Sequence, residues 1–166
     1  PFSWGSAHGL VVHSWRFGSM GGGGGGGGGG SAVHPNFLAN ASWEDPGVAS
    51  WGFVDGPINY YADPNGGAKE GGRFARVETD VQGRSVSQDV GIAATPGQSY
   101  TFSVWARSST TAPFSGQLTL WGLGGNQESG ATPFTVGPDW TLVSVPLNVT
   151  QSGHNALRAQ VYMFTT

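Results

Sequence analysis

From Asn40 onward, turn signals recur at short intervals: Asp45-Pro46-Gly47, Asp55-Gly56-Pro57, Asp63-Pro64-Asn65-Gly66-Gly67, Gln82-Gly83, Thr95-Pro96-Gly97, Gly124-Gly125-Asn126, Gly137-Pro138-Asp139 and Ser152-Gly153-His154. Between them lie short segments of strand composition and no convincing amphipathic helix. A chain cut this often cannot build helices of useful length, whereas many short strands can stack as two sheets. The spacing predicts an all-β fold, an antiparallel β-sandwich of jelly roll topology.

The strands sort their side chains by parity. In Ser99–Arg107, Tyr100, Phe102, Val104 and Ala106 share one face, leaving Thr101, Ser103, Trp105 and Arg107 on the other. Leu118 and Leu120 alternate with Thr119 and Trp121. In Ala156–Met163, Leu157, Ala159, Val161 and Met163 point inward, opposite Arg158, Gln160 and Tyr162. If these strands share a sheet, its outer face holds two indoles, a phenol, two guanidinium groups and an amide. Flat aromatics stack on the C–H faces of sugar rings, and Arg and Gln pair with hydroxyls, so the set suits a polysaccharide or oligosaccharide ligand. The plainer reading is that Trp105 and Trp121 cover the second side of the sandwich beneath loops.

Composition narrows the alternatives. Of 166 residues only 10% are charged and the net charge is −3, which leaves no basic stripe for nucleic acid and no polybasic membrane patch. There is no cysteine, so disulfides and thiolate zinc sites are excluded. Residues 1–20 lack the basic start and apolar centre of a signal peptide, and the chain reads as a mature or excised fragment.

Three regions follow. Residues 1–20 hold a short β-prone piece, Gly9–Trp15, expected to be the tail of another domain or a tag-like remnant. Residues 21–35 contain an unbroken run of ten glycines and read as a flexible linker. A phosphate-binding loop would need a preceding strand and a following helix, which are missing. Residues 36–166 form the sandwich.

Catalytic constellations are weak. Most acids sit in turns, and although Glu78 and Asp80 share strand parity, a solvated strand end explains them better than a glycosidase pair. Three of the four histidines, His8, His13 and His34, precede the folded region, and no Gly-x-Ser-x-Gly elbow accompanies His154. His8 and His13 read as surface groups rather than metal ligands. No enzyme activity is expected.

Several patterns, in order, resemble the jelly-roll carbohydrate-binding modules of the CBM4/9/22-type families. They are Asn40-Ala41-Ser42-Trp43-Glu44, Trp51-Gly52-Phe53, Gly71–Val77, Val86-Ser87-Gln88-Asp89-Val90, Pro96–Arg107 and Trp140–Val145. The resemblance implies non-catalytic polysaccharide binding by a secreted appendage of a polysaccharide-active or cell-surface protein. Such modules usually close with a further strand carrying aspartate, which looks absent here. It would hold a structural calcium (Ca2+) together with the early glutamate, Glu44, so that site is in doubt. The open edge left behind invites strand pairing, and Gly9–Trp15, tethered by the glycine run, is a candidate to add to it in the same chain or in a neighbouring one.

The expected ligand-binding residues are Trp105, Arg107, Trp121, Arg158, Gln160 and Tyr162. Gln88 is a weaker candidate, because it shares parity with Val86 and Val90 and should be an inward or edge amide. Tyr60 and Tyr61 are placed in a loop that could wall the cleft, and Trp43 and Trp51 in packing where the chain enters the fold. An interaction or assembly module using the same face or the open edge is the competing reading.

Overall fold

The computed structural model describes residues 9–20, 36–45, 50–54, 58–62 and 67–165. Ten strands appear among them: β1 Gly9–Met20, β2 Gly52–Val54, β3 Ile58–Ala62, β4 Arg73–Glu78, β5 Ser85–Val90, β6 Ser99–Ser108, β7 Phe114–Leu123, β8 Glu128–Val136, β9 Thr141–Asn148 and β10 Ala156–Met163. They form two five-stranded sheets, ordered β3-β4-β1-β6-β9 and β2-β5-β10-β7-β8, with every pairing antiparallel. The expected all-β jelly-roll sandwich is what the chain forms.

The core lies between the sheets. Tyr100, Phe102, Val104 and Ala106 of β6 and Val143, Val145 and Leu147 of β9 face Leu118 and Leu120 of β7 and Leu157, Ala159, Val161 and Met163 of β10, all buried. Proline fits the ladders because Pro133 and Pro146 lie on the outermost strands β8 and β9, where a missing N–H costs little.

Residues 9–20, the described part of the segment that the sequence sets apart as a tail or tag, do not stand apart. Gly9–Met20 is the central strand of the first sheet, paired with β4 on one side and β6 on the other. The glycine run misleads here, because a break in composition resembles a domain boundary whether or not the chain returns to the same sheet. The strand pairs within its own chain, in the interior of the sheet rather than at an edge. The glycine run itself and residues 1–8 lie outside the described residues.

A register shift between His13 and Arg16 turns the strand's parity over. Leu10 and Val12 point into the core before it, and Trp15 and Phe17 after it. Trp15 meets Trp51 at 4.3 Å, Phe102 at 5.2 Å and Trp43 at 6.0 Å between ring centroids, and Trp43 stacks on Trp51 at 4.8 Å. The expected packing roles of Trp43 and Trp51 hold, with Trp15 as their common partner. His13 is not a surface group: it is buried, and burial pushes its pKa down against the opposing pull of Glu44 and Glu70. Tyr60 and Tyr61 are likewise not in a loop; they belong to β3, the edge strand beside β4.

One end of the sandwich is fastened by Glu128. Its carboxylate accepts hydrogen bonds from the Thr150 N–H (2.9 Å), the Thr150 hydroxyl (2.7 Å) and the Gln151 N–H (3.0 Å), and it meets His154 Nε2 at 2.9 Å. The other ring nitrogen of His154 lies 3.0 Å from the Gly124 carbonyl, so the β7–β8 turn and the β9–β10 connection are held together. Burial opposes the charge on Glu128. The Gln151 N–H, the Thr150 hydroxyl, His154 and the Thr150 N–H outweigh that and hold its carboxyl down to about 2, against an ordinary 4.5. A carboxyl depressed in the folded state contributes stability that is fully present above pH 4.5 and is lost as pH falls toward about 2. Thermal melts of the wild type and Glu128→Gln across this range should show a gap that is widest near neutrality and closes in acid; a gap independent of pH would refute the assignment.

Candidate functional site

The outer face of the second sheet is built in three rows across β5, β10 and β7. Antiparallel register places Asp89, Arg158 and Trp121 in one row, Ser87, Gln160 and Thr119 in the next, and Ser85, Tyr162 and Gln117 in the third. The middle row is recessed: Thr119 is 1% exposed, Gln160 3% and Ser87 6%. Larger, partly exposed side chains stand on either side of it, Trp121 and Arg158 on one and Tyr162 and Gln117 on the other. Alternate residues along a strand are roughly 7 Å apart, so the outer rows stand about 14 Å from each other across a shallow trough.

The polar groups of this face are already organised. The Trp121 indole N–H donates to Gln160 Oε1 at 3.0 Å, and Gln160 Nε2 donates to Ser85 Oγ at 2.7 Å. Gln160 is thereby a buried positioning group for the indole rather than an open contact for a ligand. Arg158 makes a two-pronged pair with Asp89, Nε to Oδ1 at 2.5 Å and Nη2 to Oδ2 at 2.9 Å. That hydrogen-bonded pairing raises the Arg158 pKa further against its burial. The pair is partly open to solvent, with side-chain exposures of 35% and 47%, and both groups keep capacity for hydroxyls.

Four of the six expected residues, Trp121, Arg158, Gln160 and Tyr162, therefore meet on one face. Trp105 and Arg107 do not join them. Their strand, β6, belongs to the first sheet, because the jelly-roll path carries the chain from one sheet to the other between β6 and β7. Parity assigns a side chain to inside or outside and says nothing about which outside.

Trp105 and Arg107 instead help cover the far side of the sandwich. The Lys69 ammonium sits 4.4 Å over the Trp105 ring, and the Arg107 guanidinium lies 5.1 Å from Trp140 and 5.8 Å from Phe74. His13, opposite Trp105 in register, meets Trp140 edge-on at 6.2 Å. For Trp105 the plainer reading, an indole capped by its own protein, describes what the structure shows.

Sequence reasoning missed Asp89, Ser87, Ser85 and Gln117. The signal was present in β5, where Ser85, Ser87 and Asp89 alternate with Val86 and Val90. Gln88 is the inward amide its parity implies: it is buried and clamps Ala39, accepting from its N–H at 2.7 Å and donating to its carbonyl at 3.1 Å. Of the two acids that share strand parity, Glu78 is bridged to Arg76 and Asp80 to Arg84.

Glu44 is tied to the start of β4. Its Oε1 accepts from the Gly72 and Arg73 N–H groups, both at 3.1 Å, and a Cβ on Gly71 (φ +66°) would run into it. It borders a cavity of about 420 Å³ with Asp45, Glu70, Arg16, Asn36 and Asn40, where Arg16 brings a competing positive charge. Among the described residues no three acids or histidines are grouped to hold a metal.

Two antiparallel sheets, one with a grooved outer face of ring, amide, guanidinium and carboxylate groups, define a β-sandwich domain. Residues 35–166 match the CBM_4_9 family, described as a carbohydrate binding domain, and the chain belongs to that family. Its fold is also similar to part of an endo-1,4-β-D-xylanase 10B from Clostridium thermocellum, solved as CBM22-1–GH10 modules with xylohexaose. That likeness has a TM-score of 0.54 and 16% identity, over 70% of this chain and 24% of that one. No curated protein matches the chain.

Proposed function

We propose that this domain binds a polysaccharide in the trough of the second sheet and serves as a secreted, non-catalytic appendage that keeps a polysaccharide-active or cell-surface partner close to its polymer. The observation that carries this reading is the Trp121–Gln160–Ser85 hydrogen-bond chain, which fixes a partly exposed indole beside a recessed polar floor. A ring held in place before the ligand arrives loses little freedom on stacking against a sugar. Tyr162 offers a second ring on the other bank, and Arg158 with Asp89 offers donors and acceptors for hydroxyls. The xylohexaose in the related xylanase structure makes a β-1,4-linked xylan the first polymer to try.

Affinity electrophoresis of the intact chain through gels containing xylan, mixed-linkage β-glucan, mannan or laminarin tests this. Retardation in xylan or another β-linked polymer is the expected result. Unretarded migration in every gel by the folded chain would remove the glycan reading and favour an assembly module.

A further inference from the structure

The described part of β1 connects to the rest of the fold only through residues 21–35, which contain the ten-glycine run. It nevertheless occupies the middle of its sheet. Gly9–Val12 pair with β4, and the strand from Leu10 to Met20 pairs with β6. Its inward side chains Leu10, Val12, Trp15 and Phe17 are buried to within 1% of completely. The body reaches back to it through backbone bonds, Trp15 N–H to Ala41 O at 2.8 Å and Phe37 N–H to Phe17 O at 3.0 Å. Asn36 clamps the same stretch, donating to the Trp15 carbonyl at 2.6 Å and accepting from the Phe17 N–H at 3.1 Å. The family match begins at residue 35 and leaves β1 out. Without β1, β4 and β6 would each present an unpaired edge, and the ring cluster around Trp15 would open to water.

We infer that the body, residues 36–166, is a strand acceptor and that residues 9–20 are its ligand, a β-strand docked in the slot between β4 and β6. A run of glycines has no side chains with which to dictate a docked geometry, so specificity resides in the two ladders, the inward apolar side chains and the Asn36 clamp. The connection supplies proximity, which keeps the chain's own strand in the slot at ordinary concentrations. Cutting it should leave the strand bound, and the slot should accept the same strand from a second copy of the chain.

The test uses the full chain with a protease recognition sequence placed within the glycine run and cut after folding. The two pieces are expected to co-elute in native buffer and to unfold in one transition whose midpoint rises with protein concentration, unlike that of the uncut chain. Unfolding and refolding the cut protein with excess isotope-labelled N-terminal piece should incorporate the label. The inference is overturned if the N-terminal piece elutes separately while the body keeps the near-ultraviolet dichroism and melting temperature of the uncut chain.

Discussion

Trp121→Ala should weaken binding to the retained polysaccharide by about thirty-fold or more, as expected when a central aromatic contact worth about 2 kcal/mol is removed. The indole is the one large ring of the trough whose plane is fixed by a hydrogen bond of its own, to Gln160. Truncation removes both the stacking surface and the reason for Gln160 to stay where it is. Gln160 would keep its bond to Ser85, and its buried Oε1 would lose the indole N–H that donates to it, a loss of about 1–3 kcal/mol in stability. Trp105→Ala supplies the contrast. Its ring is capped by Lys69 on the opposite side of the sandwich, so binding should change less than two- to threefold. Isothermal titration with a soluble polymer or oligosaccharide measures both; equal losses in the two variants would mean that the trough is not the site.

Trp15→Ala should cost about 3–5 kcal/mol, a large part of the 5–15 kcal/mol by which domains of this size are stable. Trp15 is fully buried and touches Trp43, Trp51 and Phe102, so its removal leaves a cavity bounded by rings that cannot all collapse into it. At about 2–4 °C per kcal/mol the melting temperature should fall by roughly 6–20 °C. Circular dichroism melts decide it. A shift of only a degree or two would mean that β1 does not complete the core and would return residues 9–20 to the status of an appendage.

Much of the fold is legible in local sequence where one face of a strand is apolar throughout. Ser99–Arg107 emerges as β6, with Tyr100, Phe102, Val104 and Ala106 all buried, and the last strand has the expected ends at Ala156 and Met163. Period-two alternation is a local property and survives folding. Which strands become neighbours is not local, and that is why Trp105 and Trp121, similar in parity and composition, end on opposite sides of the molecule.

Gln160 shows a second limit. Its outward position could be read, but its two hydrogen bonds, to Trp121 and Ser85, depend on strand register across β10, β7 and β5. β1 is legible only in part: Gly9–Trp15 can be read as a strand for an open edge, but the glycine run reads as a boundary, and only the tertiary pairing shows the strand lying between β4 and β6 of its own chain. Tyr60 and Tyr61 sit in a five-residue edge strand flanked by strong turn signals, which mask so short an element.

The central claim is that sugar binds on the second sheet. The most direct measurement is an ¹⁵N-resolved NMR titration of the intact chain with xylohexaose, or with the oligosaccharide of whichever polymer retards it. The predicted result is saturable shifts of the Trp121 indole N–H and the backbone amides of Arg158 and Tyr162, with the Trp105 and Trp140 indole signals unmoved. Shifts centred on Trp105 and Trp140, or none at all, would contradict it.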